Sequence, residues 1–127
     1  VDIVAAEDCT VMFLNGKTLL NTCDNGCKFH HTLVRNLLGI VAQNNMYLNQ
    51  KIKYTSRKTT REKLMTYLND QAKMKGSNDF TIPFNRQELA DYLGVERSAM
   101  SAELGKLTKL GILRTQRSHF TLLKPLD

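Results

Sequence analysis

No stretch of roughly 18 consecutive apolar residues occurs in the chain, so no segment reads as a membrane span. The opening VDIVAAEDCTVMF lacks a basic leader ahead of an apolar run, so no secretory signal is expected in it. It also lacks an initial Met and starts in what reads as mid-strand, so the expectation is a piece of a longer protein. Cysteine is scarce and odd in number: Cys9, Cys23 and Cys27. Without a signal, that points to reduced thiols in a cytoplasm. Cys23 and Cys27 are followed closely by His30 and His31, but zinc sites repeat a cysteine pair and no second pair exists here. No metal is expected, and a redox role for Cys23 and Cys27 stays open. There is no nucleophile beside a base, no Gly-rich phosphate loop, and no metal-ligand pair on a helix, so an enzyme is not expected. Internal repeats and low-complexity tracts are absent too.

What is present is an ordinary apolar fraction, 42% of 127 residues, enough for one domain or one small domain with an extension. Net charge is +6. The excess is local: residues 51–75 hold eight Lys or Arg against Glu62 and Asp70, and the rest of the chain is close to neutral. Such a balance suits a polyanionic partner or a solvated helix face.

Along the chain, IVAAEDCTVMFL predicts two short strands around a turn at Glu7-Asp8, and Gly16 to Thr22 one or two helical turns. From about Lys28 to Thr55 the period becomes helical. Val34, Leu38, Val41, Asn45, Leu48 and Ile52 form one stripe, and Leu33, Leu37, Ile40, Asn44 and Tyr47 a second beside it. The pair is too wide for a lone surface helix. It predicts either a helix pairing with a second copy, Asn45 fixing the register, or one buried within its own monomer. Thr59 and Glu62 make a capping box for a helix whose inner face is Leu64, Met65, Leu68 and Ala72. Lys75 to Asn78 end it, and Phe80 to Ile82 predict a short strand closed by Pro83.

Residues 84–110 hold the most informative pattern. Asn85 and Glu88 form a second capping box, with Phe84 and Leu89 placed as a hydrophobic staple. Leu89, Ala90 and Leu93 line a short helix, Gly94 permits a positive φ, and Val95 plugs the turn. A second helix begins near Arg97 with Met100, Leu104, Leu107 and Leu110 inside; Glu96 before it reads as a poorer cap than Ser or Asp. After Gly111, Ile112 to Thr115 and Phe120 to Leu123 predict a hairpin with its tip at Gln116 to His119. A short helix, a Gly turn, a longer helix and a hairpin make a winged helix-turn-helix. The expected fold class is therefore mainly α with small β.

The stretch IPFNRQELADYLGVERSAMSAELGKLTKLGIL, followed by HFTLL, resembles the Crp/Fnr family of bacterial regulators. The likeness is strongest over residues 80–123 and extends through TTREKLMTYL and the long helix. It implies three parts: residues 1–27 as the remnant of a cyclic-nucleotide-type sensor barrel, 28–55 as a dimerisation helix, and 56–127 as the winged helix-turn-helix. It implies a transcription regulator that binds double-stranded DNA as a homodimer and meets RNA polymerase. No cofactor is implied within this stretch; a small effector of unidentified chemistry is left to the full-length protein.

On that reading the second helix enters the major groove. Arg97 is the foremost base reader, since its fork can pair with guanine, with Ser98, Ser101 and Ala102 beside it. Arg86 and Gln87 resemble the family's phosphate contacts, and Lys106, Lys109, Arg114 and Arg117 add charge. The dimer interface falls to Val34, Leu38, Val41, Asn45, Leu48 and Ile52. The sequence departs from the family at Ala102, where Arg is common, and at Gly105, where a polar residue is usual. Base readout is therefore expected to be thin, with affinity leaning on phosphates and DNA shape. Two other readings stand beside this one: a MarR-like winged-helix repressor, and a winged-helix protein–protein module without nucleic acid. Residues 80–127 hold only seven basic against five acidic residues, which leaves room for the latter.

Overall fold

The computed structural model describes residues 2–21 and 27–124, so Cys23 lies outside the described residues. The chain divides into two compact units, Val1–Asn45 and Met46–Asp127.

In the first unit, residues 2–15 carry no strand, only a bend at Ala6 and Glu7. The two strands expected there do not form. A strand is held by hydrogen bonds to a neighbour, and no other described segment pairs with this one; Ile3 and Phe13 are 96% and 93% exposed. Helix α1 (Gly16–Leu20) follows, capped by Asn15, whose side chain accepts from the Lys17 amide at 3.0 Å. Helix α2 (Lys28–Thr55) is the longest element. Within the first unit, α1 and α2 frame an apolar groove of about 300 Å³ lined by Gly16, Leu19, Val34, Leu37, Leu38 and Val41.

Both stripes of α2 stand largely in the open. Leu38 and Val41 are 69% and 62% exposed, Leu48 and Ile52 are exposed further on, and Asn45 is exposed between them. Only Tyr54, in the last turn of α2, is fully buried. The described residues of this chain therefore leave most of α2 uncovered.

The second unit is built from α3 (Thr60–Lys75), β1 (Asp79–Thr81), α4 (Arg86–Leu93), α5 (Arg97–Lys109), β2 (Leu113–Gln116) and β3 (His119–Leu122), behind the end of α2. The strands form one antiparallel sheet in the order β1-β3-β2, with Phe80 opposite Phe120. Each helix start is set by its capping residue. Thr59 accepts from the Glu62 amide at 3.1 Å while Glu62 accepts from the Thr59 amide at 3.3 Å, and Gly76 ends α3 in the left-handed region.

Leu64, Met65, Leu68 and Ala72 are buried as their spacing predicts. They meet Leu89, Ala90 and Leu93 of α4, Met100, Leu104 and Leu107 of α5, and Leu113, Phe120 and Leu122 of the hairpin in one core. Burying each Leu contributes roughly 1.5–3 kcal/mol, so this cluster is the main source of stability. Beside it lies an aromatic group that periodicity had not singled out. Tyr54, Tyr67 and Tyr92 contact one another at ring separations of 5.4–6.1 Å, and Phe84 stands 4.9 Å from Tyr92. Burial raises the Tyr54 and Tyr67 phenols well above their usual range, so both remain neutral. This group fixes the end of α2 to α3 and α4. The chain is thus mainly helical with a small antiparallel sheet, as expected.

Candidate nucleic-acid interface

The surface of interest is assembled by two capped helices and the turn between them. At the start of α4 the Asn85 side chain accepts from the Glu88 amide at 2.9 Å, and the Glu88 carboxylate accepts from the Asn85 amide at 2.7 Å. Phe84 and Val95 pack on the core from either end of α4. Gly94 closes the helix at φ 61°, and the Val95 amide donates back to the Ala90 carbonyl at 3.0 Å. That left-handed residue turns the chain sharply enough for α5 to start three residues later and pack against α4, whose Ala90 is fully buried.

Glu96 caps α5 more fully than expected. Its two carboxylate oxygens accept from the Ser98 amide at 3.1 Å and the Ala99 amide at 2.9 Å. The Ser98 hydroxyl donates to the same carboxylate. These bonds, the Ser98 hydroxyl first and the two amides next, hold the Glu96 carboxyl below the usual carboxylate range. The longer side chain reaches back over the first turn and meets the helix's positive end, so the expectation of a weak cap is corrected.

Along α5, Met100, Leu104 and Leu107 face inward, but Leu110 caps the helix end and is 57% exposed, so it leaves the inner stripe. On the other side Arg97, Ser98, Ser101, Ala102, Gly105 and Lys109 are all exposed. Arg97 sits in the first turn and makes no ion pair among the described residues. The side available to a ligand is therefore a strip of small side chains with Arg97 at its N-terminal end and Lys109 at its C-terminal end.

The other cations differ in freedom. Arg86 is half-buried: its guanidinium donates to the Thr115 hydroxyl at 2.6 Å and lies 5.0 Å from the Phe120 ring centre. Gln87 donates to Asp91 at 2.9 Å, and Lys106 pairs with Glu103 at 2.8 Å. Lys109, Arg114 and Arg117 are exposed, with Arg117 at the hairpin tip in the left-handed region, φ 53°. Sequence reasoning did not find Glu103, which also binds Arg61 of α3 at 2.9 Å. Its signal is faint: Glu103 and Lys106 lie three apart on a helix, but Arg61 is 42 residues away in sequence. Among the described residues no group of three or more His, Cys, Asp or Glu is placed to hold a metal, and no helix is long and apolar enough to cross a membrane.

Two helices across a left-handed glycine, followed by a hairpin against the same core, define a winged helix-turn-helix. The family model for the Crp-like helix-turn-helix domain matches residues 62–126, half of the chain, and the chain belongs to that family. Among solved structures, a chain from Eubacterium rectale assigned to the Crp/Fnr family of transcriptional regulators aligns at 16% identity and a TM-score of 0.49. That alignment covers 79% of this chain and 44% of the other, so the chain spans less than half its length. No curated protein matches.

Proposed function

We propose that this chain reads a roughly palindromic DNA operator as a homodimer, each α5 lying in the major groove. The observation that carries the reading is the outer side of α5. Arg97 stands in its first turn with no internal partner among the described salt bridges, at the position from which such a helix meets base edges. Arg97 supplies the directional base contact. Ser101 and Ala102 follow with short side chains, and Ser98 reads weakly because its hydroxyl is engaged by Glu96. Lys109, Arg114 and Arg117 meet phosphates, while Arg86 and Gln87 present the first turn of α4 to the backbone.

The stripe from Val34 to Ile52, exposed from Leu38 onward, supplies the dimer contact, and its first part lines the apolar groove beside α1. The long helix leads directly into the DNA-binding unit, which is the division of labour proposed for 1–27, 28–55 and 56–127. RNA polymerase contact, and control by an effector bound elsewhere in a longer protein, belong to the same proposal.

Selection of bound duplexes from a random pool tests it. The expected outcome is two half-sites about 34 Å apart, with guanine preferred where Arg97 reaches. Arg97→Ala should relax that one position by about 1–3 kcal/mol and leave the others intact. A single half-site, or no enrichment over random duplex, overturns the reading. Lack of retention on any duplex at low salt would favour a protein–protein module, which the small charge of residues 80–127 permits.

A further inference from the structure

We propose that Glu103 limits the chain's sequence-independent affinity for duplex DNA, by holding Arg61 and Lys106 in one ion-pair network on the flank of α5. The inference rests on the DNA-binding reading above and concerns how strongly that surface attracts phosphates, whatever the sequence.

The network uses both carboxylate oxygens. Arg61 Nε donates to one at 2.9 Å and Lys106 Nζ to the other at 2.8 Å. The Glu103 side chain is only 17% exposed, whereas those of Arg61 and Lys106 are 44% and 63% exposed. The acid is thus set into the surface and its two cations lie over it. With both cations bound, Lys106 first, the Glu103 carboxyl is held below the usual carboxylate range and stays charged at neutral pH.

The network lies beside the DNA-facing strip. An open recess of about 450 Å³ is lined by Thr60 and Arg61 of α3 and by Ala99, Ala102 and Glu103 of α5, so the network and Ala102 share one concavity. Arg61 also borders a second recess, of about 670 Å³, on the side of Arg57 and Lys58. Released from Glu103, Arg61 would join Arg57 and Lys58 in one basic track running from the corner after α2 to the side of α5. Arg57, Lys58 and Arg61 are three of the eight Lys or Arg in residues 51–75.

Each cation that neutralises a phosphate adds affinity for every sequence and steepens the salt dependence. On a surface with one long base reader, unrestrained phosphate cations would hold the chain on non-operator DNA, which outnumbers operators in any genome. A carboxylate that occupies two of them lowers that background without removing the cations.

The test titrates the 127-residue chain with a random-sequence duplex over a series of salt concentrations. Wild type should bind at low salt. Glu103→Gln should bind the same duplex roughly two- to tenfold more tightly, as expected for release of two exposed pairs, with a log K against log [salt] slope steeper by up to about 0.9 per freed cation. Glu103→Asp, which keeps the negative charge, should gain less than Glu103→Gln; a merely structural role would affect both alike. Lys106→Gln, an exposed change that leaves the fold intact, should cost less affinity in wild type than in the Glu103→Gln background. Failure of wild type to bind any duplex defeats the DNA-binding reading itself. If wild type binds, but Glu103→Gln leaves affinity and slope unchanged or lower and Lys106→Gln costs the same in both backgrounds, the inference about Glu103 falls alone.

Discussion

The Arg86 guanidinium donates to the Thr115 hydroxyl at 2.6 Å, joining the first turn of α4 to the hairpin strand β2. It also lies over the Phe120 ring, and burial lowers its pKa from the usual arginine value. The first helix of the motif and the wing are therefore one mechanical piece. Arg86→Ala should lower stability by roughly 1.5–3 kcal/mol, the range for a hydrogen bond to a charged group. Arg86→Lys should recover only part, because a lysine cannot stack and fork at once. Urea unfolding measures both, and an unchanged midpoint in Arg86→Ala would show that α4 and the wing are not coupled.

Much of this architecture can be read from the residues before any coordinates. Both capping boxes, the turn at Gly94 and the inner faces of α3, α4 and α5 follow from local chemistry: side chains three apart, a glycine where φ must be positive, apolar residues at helical spacing. What the sequence hides is side-chain conformation and long-range contact. Glu96 looks like a poor cap until its side chain is seen folded back on Ser98 and Ala99. Arg86 reads as a solvent-facing cation because its partner Thr115 comes 29 residues later. Tyr54, Tyr67 and Tyr92 lie on three helices, and nothing in their separate spacings says that they meet. The strands expected at the N-terminus fail for the converse reason: local β pattern was present, but a pairing partner was not.

Acid should weaken the second unit through two surface carboxyls. Glu96 and Glu103 are both held below their ordinary value of 4.5, Glu96 by Ser98 and the α5 amides, Glu103 by Lys106 and Arg61. A carboxyl whose folded pKa is depressed stabilises fully above its unfolded pKa, and loses that contribution as pH falls through the folded one. Melting temperature should therefore decline as pH drops below about 4.5. The decline should be shallower in Glu96→Gln and Glu103→Gln, whose side chains no longer titrate. Parallel pH profiles for wild type and both variants would contradict the assignment.

Two left-handed residues should respond to substitution with opposite signs. At Gly94, φ 61°, a new Cβ would meet nothing closer than the Thr55 methyl at 3.8 Å, so the cost of Gly94→Ala is backbone strain alone, about 1–2 kcal/mol. Arg117 already bears such strain at φ 53°. Arg117→Gly should stabilise the hairpin by up to about 1 kcal/mol, and should weaken DNA binding with a salt slope lower by about 0.9, one phosphate contact. Thermal unfolding and a salt titration separate the two effects. A gain in stability with no loss of affinity would remove Arg117 from the interface.

The exposed stripe of α2 predicts self-association. Leu38 and Val41 are more than 60% exposed and border the apolar groove beside α1. The wild-type chain should sediment as a dimer at micromolar concentration. Leu38→Glu or Val41→Glu should give a monomer, because each places an unpaired charge in an apolar seam. The far-UV spectrum and the unfolding of the Met46–Asp127 unit should stay unchanged, since neither residue belongs to it. A wild-type monomer would leave the palindromic operator without support.

Gly105 sets stability and recognition against each other. It lies within α5 on the exposed side, and a Cβ built there meets no atom within 4 Å. In the free protein Gly105→Ala should therefore stabilise, by about 0.8–1 kcal/mol from helix propensity. No described residue outside the helix stands close enough to account for the glycine. If DNA backbone approaches the strip formed by Ser101, Ala102 and Gly105, the added methyl will hold the duplex off and Arg97 will reach its base less well. Gly105→Ala should then melt higher yet bind its operator more weakly, with guanine discrimination at the Arg97 position reduced. A variant that is more stable and binds equally well would place the closest approach of DNA nearer the N-terminal turn, at Arg97 and Ser98 alone. One that is less stable would mean that the outer surface of α5 at Gly105 is obstructed.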